Sequence, residues 1–401
     1  MVRKEYIFFT LLLIVLFTFS FLYISGKNLF VDEEVHYLQI KRFISGDNRV
    51  YEILTVIPGY HYFLSIIGKT FNFYTESEIR LLNAVIGLIS VFIFLFTAFK
   101  IEGKNGWNKG LQYLFFPILF PFFFLIYTDV LSLLLVLLMF YFVLLKKYNL
   151  GGIFGILSFF VRQNNIIWIL FALCFVYVKE NGIKYNFKGF VKTFRDCKIF
   201  VFGLFLGILF FIWNKGFSFG DKEMHTSGIF FGNTFFLLFL FFFLFLPLNL
   251  SNFWKIKKFV SKNKWIWFLI ILVFIIYIRF FIVNHPYNFL GKDYFLRNIL
   301  LQKFISGNSI KAMLFLPIAY SILSLFVAKL KKKEFYLLYP FTILSLLPMW
   351  LIEQRYYLIP LTLFILFKDE KKGWIEKTTI GIYFVLSILI LYFIGESKFF
   401  L

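Results

Sequence analysis

Long apolar runs, interrupted by short polar and basic segments, occupy most of the chain. The first extends from about Tyr6 to Ile24, behind Val2-Arg3-Lys4. Further runs follow at roughly 79–99, 111–126, 129–145, 151–161, 164–178, 199–213, 228–248, 265–283, 311–328, 335–350, 357–367 and 378–395. Such runs predict membrane-crossing helices, because lipid offers no hydrogen-bond partner to an irregular backbone. Several fall short of the usual ~20 residues, so their ends must reach into the flanking loops or cross a thin bilayer. The pattern predicts an all-α polytopic membrane protein with about 12–14 transmembrane helices in one integral membrane domain. The first run is too long for a signal-peptide core and lacks a small-x-small cleavage site before Gly26-Lys27. It reads as an uncleaved signal anchor, 6–24, with the N-terminus in the cytosol.

One stretch, 56–70, has two readings. As a crossing, it would put Lys146-Lys147 on the opposite side from the N-terminus. As an interfacial or re-entrant helix within one long first loop, 25–78, it brings the basic clusters to the N-terminal side. These are Lys100/Lys104/Lys109, Lys146/Lys147, Lys179–Lys198, Lys255–Lys264, Lys329–Lys333 and Lys368–Lys377. With Arg3 and Lys4, that side then holds 26 of the 42 basic residues and 8 of the 21 acids. Cytosolic loops carry the excess of Lys and Arg, so the second topology is preferred. The remaining transmembrane helices then occupy 79–395.

Composition excludes a soluble chain. Hydrophobic residues make up 61% and charged residues 16%, against about 45–50% and about 25% in soluble domains. A net charge of +21 would suggest a nucleic-acid partner in a soluble protein. In a membrane chain, basic loops facing anionic lipid account for it, and no nucleic acid is expected. Cys174 and Cys197 form no disulfide framework or metal spacing.

The preferred topology places the distinctive polar clusters together on the non-cytosolic face. They are Asp32-Glu33-Glu34 with His36, Tyr127-Thr128-Asp129, Arg162-Gln163-Asn164-Asn165, Gly220-Asp221-Lys222 with His225, His285-Pro286-Tyr287 and Glu353-Gln354-Arg355-Tyr356. Ionisable residues at span ends are costly unless paired or used. For any one cluster, a helix cap or inter-helix ion pair is the alternative; six on one face suggest a shared polar cavity. The chain has no GxSxG, P-loop, HExxH or CxxC pattern, which argues against serine hydrolysis, nucleotide hydrolysis, zinc peptidase and thiol redox chemistry. Carboxylates can act as bases toward sugar hydroxyls, and arginine can hold a departing phosphate. Glycosyl transfer from a lipid phosphate sugar fits, and so does proton-coupled transport. A transporter would show internal repeats and mid-span charges, and neither is evident.

Val31-Asp32-Glu33-Glu34-Val35-His36-Tyr37-Leu38-Gln39-Ile40-Lys41-Arg42-Phe43 resembles the MDE-x-x-H-x-P-Q-x-Q-R-Y opening of the dolichyl-phosphate-glucose alpha-1,2-glucosyltransferase family. Further matches follow in order: Thr55-x-x-Pro58-Gly59, Arg80-x-x-Asn83, Tyr127-Thr128-Asp129-x-x-Ser132 and Arg162-Gln163-x-Asn165-Ile166-x-Trp168. Then come Gly220-Asp221-Lys222-x-x-His225, His285-Pro286-Tyr287 and Glu353-x-Arg355-Tyr356. The family's Pro after His is Leu38 here, its second Gln is Lys41, and its Ala-Asp-Asn-Arg-His-Tyr run is poorly kept across 288–294.

The resemblance implies a GT-C type helical bundle with a catalytic first lumenal loop in the endoplasmic reticulum membrane. It also implies inverting transfer of glucose from dolichyl phosphate to a dolichol-diphosphate-linked oligosaccharide. The substrates and membrane lipids are then the partners. A mannosyltransferase of the same fold remains an alternative. Asp32 is expected to be the general base, with Glu33 the other candidate, since adjacent acids point in different directions. Arg355, His285 and Arg162 are expected at the phosphate, with Glu353 as an ion-pair partner of Arg355. His36 would orient the acid or touch sugar, Asp129 and Asp221 would bind sugar hydroxyls, and Gln163 completes the substrate set. No metal or other cofactor is expected, because the cations can offset phosphate charge.

Overall fold

The computed structural model describes residues 2–103, 106–184, 186–226, 228–370 and 373–401, with side chains from Phe9 onward. Of the basic clusters, Lys104, Lys371, Lys372 and the side chains of Arg3 and Lys4 lie outside the described residues. The first part of the chain forms α1 (Val2–Ser25), α2 (Glu33–Ile44), α3 (Gly59–Phe71), α4 (Glu76–Glu102), α5 (Gly106–Leu114), α6 (Thr128–Leu144), α7 (Tyr148–Val161), α8 (Ile166–Asn181), α9 (Phe187–Asp196) and α10 (Lys198–Asn214). The second forms α11 (Gly232–Leu244), α12 (Leu246–Ser251), α13 (Phe253–Lys262), α14 (Trp265–Phe280), α15 (Leu296–Ile305), α16 (Asn308–Val327), α17 (Leu338–Leu346), α18 (Leu358–Phe367) and α19 (Gly373–Gly395). Only isolated bridges occur among the described residues, with no strand. The protein is an all-α polytopic membrane protein.

Each predicted apolar run contains a helix, but length separates them. α4, α16 and α19 are long and apolar enough to cross a membrane alone. The pairs α9–α10 and α13–α14 meet that test jointly, bent by 83° and 107°. The run 111–126 departs from the expected straight crossing. Its helix ends at Leu114, and the buried chain continues through a short 3-10 turn, Phe120–Phe123. Pro117 and Pro121 explain the break, since proline lacks an N–H and biases the residue before it away from the helix. The apolar character of this segment reflects burial in protein. Pro247 likewise stands at the start of α12, where the run 228–248 is divided.

Almost all of α6 is buried; it packs against α4 on one side and α7 on another. α10 lies against α7 and α8, and α11 against α16. The stretch 56–70 holds the short helix α3, which begins at Gly59 and packs on α2. Gly59 sits against the Phe160 backbone of α7, where a Cβ would collide.

A buried ion pair fastens the first loop to this bundle. Glu33 and Arg80 are both fully buried. Arg80 Nε and Nη2 donate to Glu33 Oε1 and Oε2 at 2.8 and 2.7 Å. The other guanidinium hydrogens go to the carbonyls of Ile24, Lys27 and Asn28. Glu33 also accepts from the Phe30 and Ile126 amides. All five arginine donors are therefore used, the condition under which a buried pair recovers its desolvation cost. Val31, within this clamp, has φ 54°, a conformation that strains a β-branched residue by about 1–3 kcal/mol.

At the far end of α4, Lys109 Nζ donates to Glu102 at 2.5 Å and to the carbonyls of Leu366 and Lys368. Lys331 pairs with Glu102, and Lys368 with Glu376. Three basic clusters thus meet at one end of the bundle. Arg80 stands 22 residues before Glu102 on this 27-residue helix, about 33 Å away at 1.5 Å per residue. Removing one partner of the clamp, as in Glu33→Ala, is expected to cost about 3–5 kcal/mol. Thermal unfolding of the detergent-solubilised protein measures this.

Candidate active site

The chain that emerges from this clamp turns directly into a polar cavity. Asp32 caps α2 without accepting a hydrogen bond from the helix, so its carboxylate remains available to other groups. A cavity of about 320 Å³ opens beside it, within the roughly 300–1,000 Å³ of small-molecule sites. One wall holds Asp32 and His36 from the first loop; another holds Glu353, Arg355 and Tyr356 from the segment before α18. Arg162 enters from the α7–α8 junction, Asp221 and His225 from the segment after α10, and Arg297 from α15.

The charged groups form an alternating chain. Arg297 pairs with Glu353 at 3.2 Å, Glu353 with Arg355 Nε at 2.6 Å, and Arg355 Nη2 with Asp32 at 2.8 Å. Arg355 Nη1 lies 3.9 Å from Asp129, which pairs with Arg162. Burial pushes the Glu353 carboxyl up, but Arg355 and Arg297 outweigh it and hold the group below its ordinary range. The same coupling raises the Arg355 guanidinium: burial opposes its charge, and Glu353, Asp32 and Asp129 more than restore it. Exposure distinguishes the acids. The Asp32 side chain is 48% exposed, against 2% for Glu353 and for Asp129. Asp32 is therefore the carboxylate that an incoming anion can displace from Arg355 at least cost.

Several expected residues are brought together, and others are engaged elsewhere. Asp32, His36, Arg162, Asp221, Glu353 and Arg355 line the cavity. Glu33 does not: the Arg80 clamp turns it into the protein, correcting its place as an alternative base. Asp129 is buried behind Arg162 and Arg355, on the wall of a smaller pocket of about 20 Å³. Gln163 has its amide consumed by the backbone of Ile57, Thr55 and Phe217. That makes it a strap between loops, on the wall of a neighbouring smaller cavity.

His285 also departs from expectation. Its Nε2 meets the Met224 carbonyl at 2.8 Å, and its Nδ1 accepts from the Tyr287 amide at 3.1 Å. With both ring nitrogens in use, it supports the 221–225 loop and leaves no donor for phosphate. His225, part of the Gly220-Asp221-Lys222 motif, lines the cavity and is partly exposed. Arg297 was missed entirely; an arginine flanked by Phe295 and Leu296 on the non-cytosolic side was its only signal.

Asp221 has φ 44°, and the preceding backbone is stitched to the first loop. Phe219, Gly220 and Asp221 donate to the carbonyls of Thr55, Leu54 and Glu52. A side chain at Gly220 would collide with the Glu52 and Leu54 carbonyls. Tyr287 Oη donates to Asp221 at 3.1 Å, and His225 lies 3.8 Å away. Among the described residues, Asp221 is the cavity acid without an arginine or lysine partner.

His36 Nδ1 meets His61 Nε2 at 2.9 Å, so one neutral ring donates to the other. Burial, with repulsion from Arg355 and Arg162, pushes the His36 imidazolium down to about 3; burial likewise lowers His61.

Below the site lies a larger apolar groove of about 400 Å³ between α11, α14, α16, α17 and α18. Thr342, Ile343, Pro360 and Leu361 line it. Ser345, Leu358 and Ile359, one helical turn nearer the charges, line the small pocket shared with Arg162 and Arg355. Groove and cationic site therefore succeed one another along the α17–α18 cleft. No group of three or more metal-ligating side chains occurs among the described residues.

The DIE2/ALG10 family model matches residues 26–188 and 180–366. The chain is 23% identical to the Dol-P-Glc:Glc(2)Man(9)GlcNAc(2)-PP-Dol alpha-1,2-glucosyltransferase of Candida albicans, over 76% of this chain and 72% of that protein. It is 23% identical to the protein of that name from Arabidopsis thaliana, over 84% and 85%. The Homo sapiens protein of the same name is 22% identical, over 84% and 83%. No solved structure matches.

The buried His36–His61 pair sets a pH dependence. The unfolded chain takes up protons below about pH 6.5, whereas folded His36 resists them until about 3. Stability is therefore full above pH 6.5 and falls as pH drops toward 3, by up to ~1.4 kcal/mol per unit for each histidine. Melting curves between pH 7.5 and 4 are expected to show this slope, and His36→Asn is expected to flatten it.

Proposed function

The chain belongs to the DIE2/ALG10 family, and from that premise we propose the following reaction. The protein transfers glucose from dolichyl phosphate to the terminal glucose of a dolichol-diphosphate-linked oligosaccharide, in alpha-1,2 linkage and with inversion. The observation that carries this reading is the 2.8 Å contact between Asp32 and Arg355. It puts an acid from the first loop and a cation 323 positions later in one cavity.

The steps follow from charge. The donor phosphate enters between Arg355 and Arg162 and takes the Asp32 place on Arg355. The freed Asp32 carboxylate accepts the proton of the acceptor 2-hydroxyl. That oxygen bonds to the anomeric carbon from the face opposite the phosphate as the carbon–phosphate-oxygen bond breaks. Dolichyl phosphate departs with the electron pair, its charge held by Arg355 and Arg162. Glu353 and Arg297 keep Arg355 in position throughout.

The polyprenyl tail occupies the α17–α18 groove, whose apolar lining replaces lipid contacts. The lysine-rich end faces the cytosol by the positive-inside rule, so the cavity opens to the lumen of the endoplasmic reticulum. No divalent metal is needed, because the arginines supply the positive charge.

Asp32→Asn is expected to lower the transfer rate by about 10²–10⁴-fold, with folded protein retained in the membrane. Reconstituted protein, dolichyl-phosphate-glucose and a lipid-linked glycan, read by product mass and linkage, test this. Transfer is expected to persist in EDTA. Leu361→Trp, which narrows the groove, is expected to raise KM for a long-chain donor more than for a short-prenyl analogue.

A further inference from the structure

Beside the main cavity lies a second, open one of about 60 Å³. The two share Thr55, Val56, Arg162, His225, Leu351 and Tyr356, so Arg162, His225 and Tyr356 stand as a partition between them. The second cavity contains none of the acids of the charged chain. Its distinctive side chains are Trp350, Phe217 and Asn164.

Each is suited to a neutral sugar. Trp350 is partly exposed, fixed by donation from Nε1 to Asn284 at 2.7 Å and by the His285 ring 4.6 Å away. Phe217 is partly exposed and stacks on Phe211 with ring centroids 4.8 Å apart. Aromatic faces of this kind pack against the C–H faces of a pyranose, and amides hydrogen-bond its hydroxyls. The Asn164 side chain makes no hydrogen bond to any described residue, although it lines two pockets. Its neighbours contrast with it: Gln163 and Asn165 are both engaged by protein groups. An inverting displacement also requires acceptor and departing phosphate on opposite faces of the anomeric carbon. Arg162 and His225 line both lobes, so a hydroxyl presented from the second faces the main cavity, where Asp32 lies.

We propose that the second cavity, open on one side, receives one face of the terminal hexose of the acceptor glycan, with Trp350 and Phe217 packing against it and Asn164 hydrogen-bonding it. His225, which faces both lobes, contacts the hydroxyl presented to the reaction centre. His285 is a positioning residue: it braces Trp350 and, through Met224, the loop that carries His225. This inference rests on the glucosyltransferase reading and adds where the acceptor binds.

The test uses the reconstituted full-length chain with dolichyl-phosphate-glucose and a lipid-linked oligosaccharide. It measures KM for each substrate and the acceptor-independent hydrolysis of the donor. Asn164→Ala and Trp350→Ala are each expected to raise acceptor KM by about tenfold, the scale of one lost hydrogen bond or packing contact. Acceptor KM rises by a larger factor than donor KM, and donor hydrolysis persists. The result for Asn164→Ala decides the matter even where Trp350→Ala misfolds, because the Asn164 side chain holds nothing in place. Unchanged acceptor KM in Asn164→Ala, or an equal rise in donor KM, overturns the subsite. Wild-type protein that transfers no glucose overturns the underlying function instead.

Discussion

The Glu33–Arg80 pair is the constraint on which the site depends. Adjacent residues on a helix start project in different directions, so fixing one fixes the other. With Glu33 drawn into the protein by Arg80 and two backbone amides, Asp32 is turned to the cavity. The same arginine binds three carbonyls at the end of α1 and the loop beyond it. First helix, first loop and α4 are thereby joined at one point, and the strained Val31 is held in place there.

The cavity is built as a balanced charge chain with one yielding member. Arg297, Glu353, Arg355, Asp32, Asp129 and Arg162 alternate in sign, which lets them share a low-dielectric environment without a large uncompensated charge. A phosphate cannot simply be added to such a set; it must replace a carboxylate. Glu353 and Asp129 are buried, whereas the Asp32 side chain is half exposed, which is why the proposed exchange is assigned there. In the proposed reaction, donor binding and unmasking of the base become a single event, because Arg355 engages Asp32 beforehand.

Short helices serve this arrangement. α17 and α18 have 9 and 10 residues, and the segment between them carries Glu353 and Arg355. Irregular backbone at this position is tolerated because it lines a cavity and is paired with protein: Asn233 binds the Met349 and Leu351 carbonyls and the Glu353 amide. The cleft between the same two helices continues as the apolar groove.

Much of this was legible in the chain itself. Apolar runs predicted the helices, lysine placement separated the two ends, and the polar clusters named most of the residues that converge. Those signals are local: hydropathy and charge are summed over contiguous positions. Pairing is not local. Glu33 and Asp32 are chemically equivalent acids until an arginine 47 positions away claims one. His285 and His225 are equivalent imidazoles until the Met224 carbonyl and the Tyr287 amide occupy both nitrogens of the first. The run 111–126 is as apolar as a span, and only its burial between α4, α6 and α19 distinguishes protein from lipid as its solvent. Residue types and the side of the chain they occupy were determined by sequence; which group stays free to act was decided by the tertiary contacts that saturate the others.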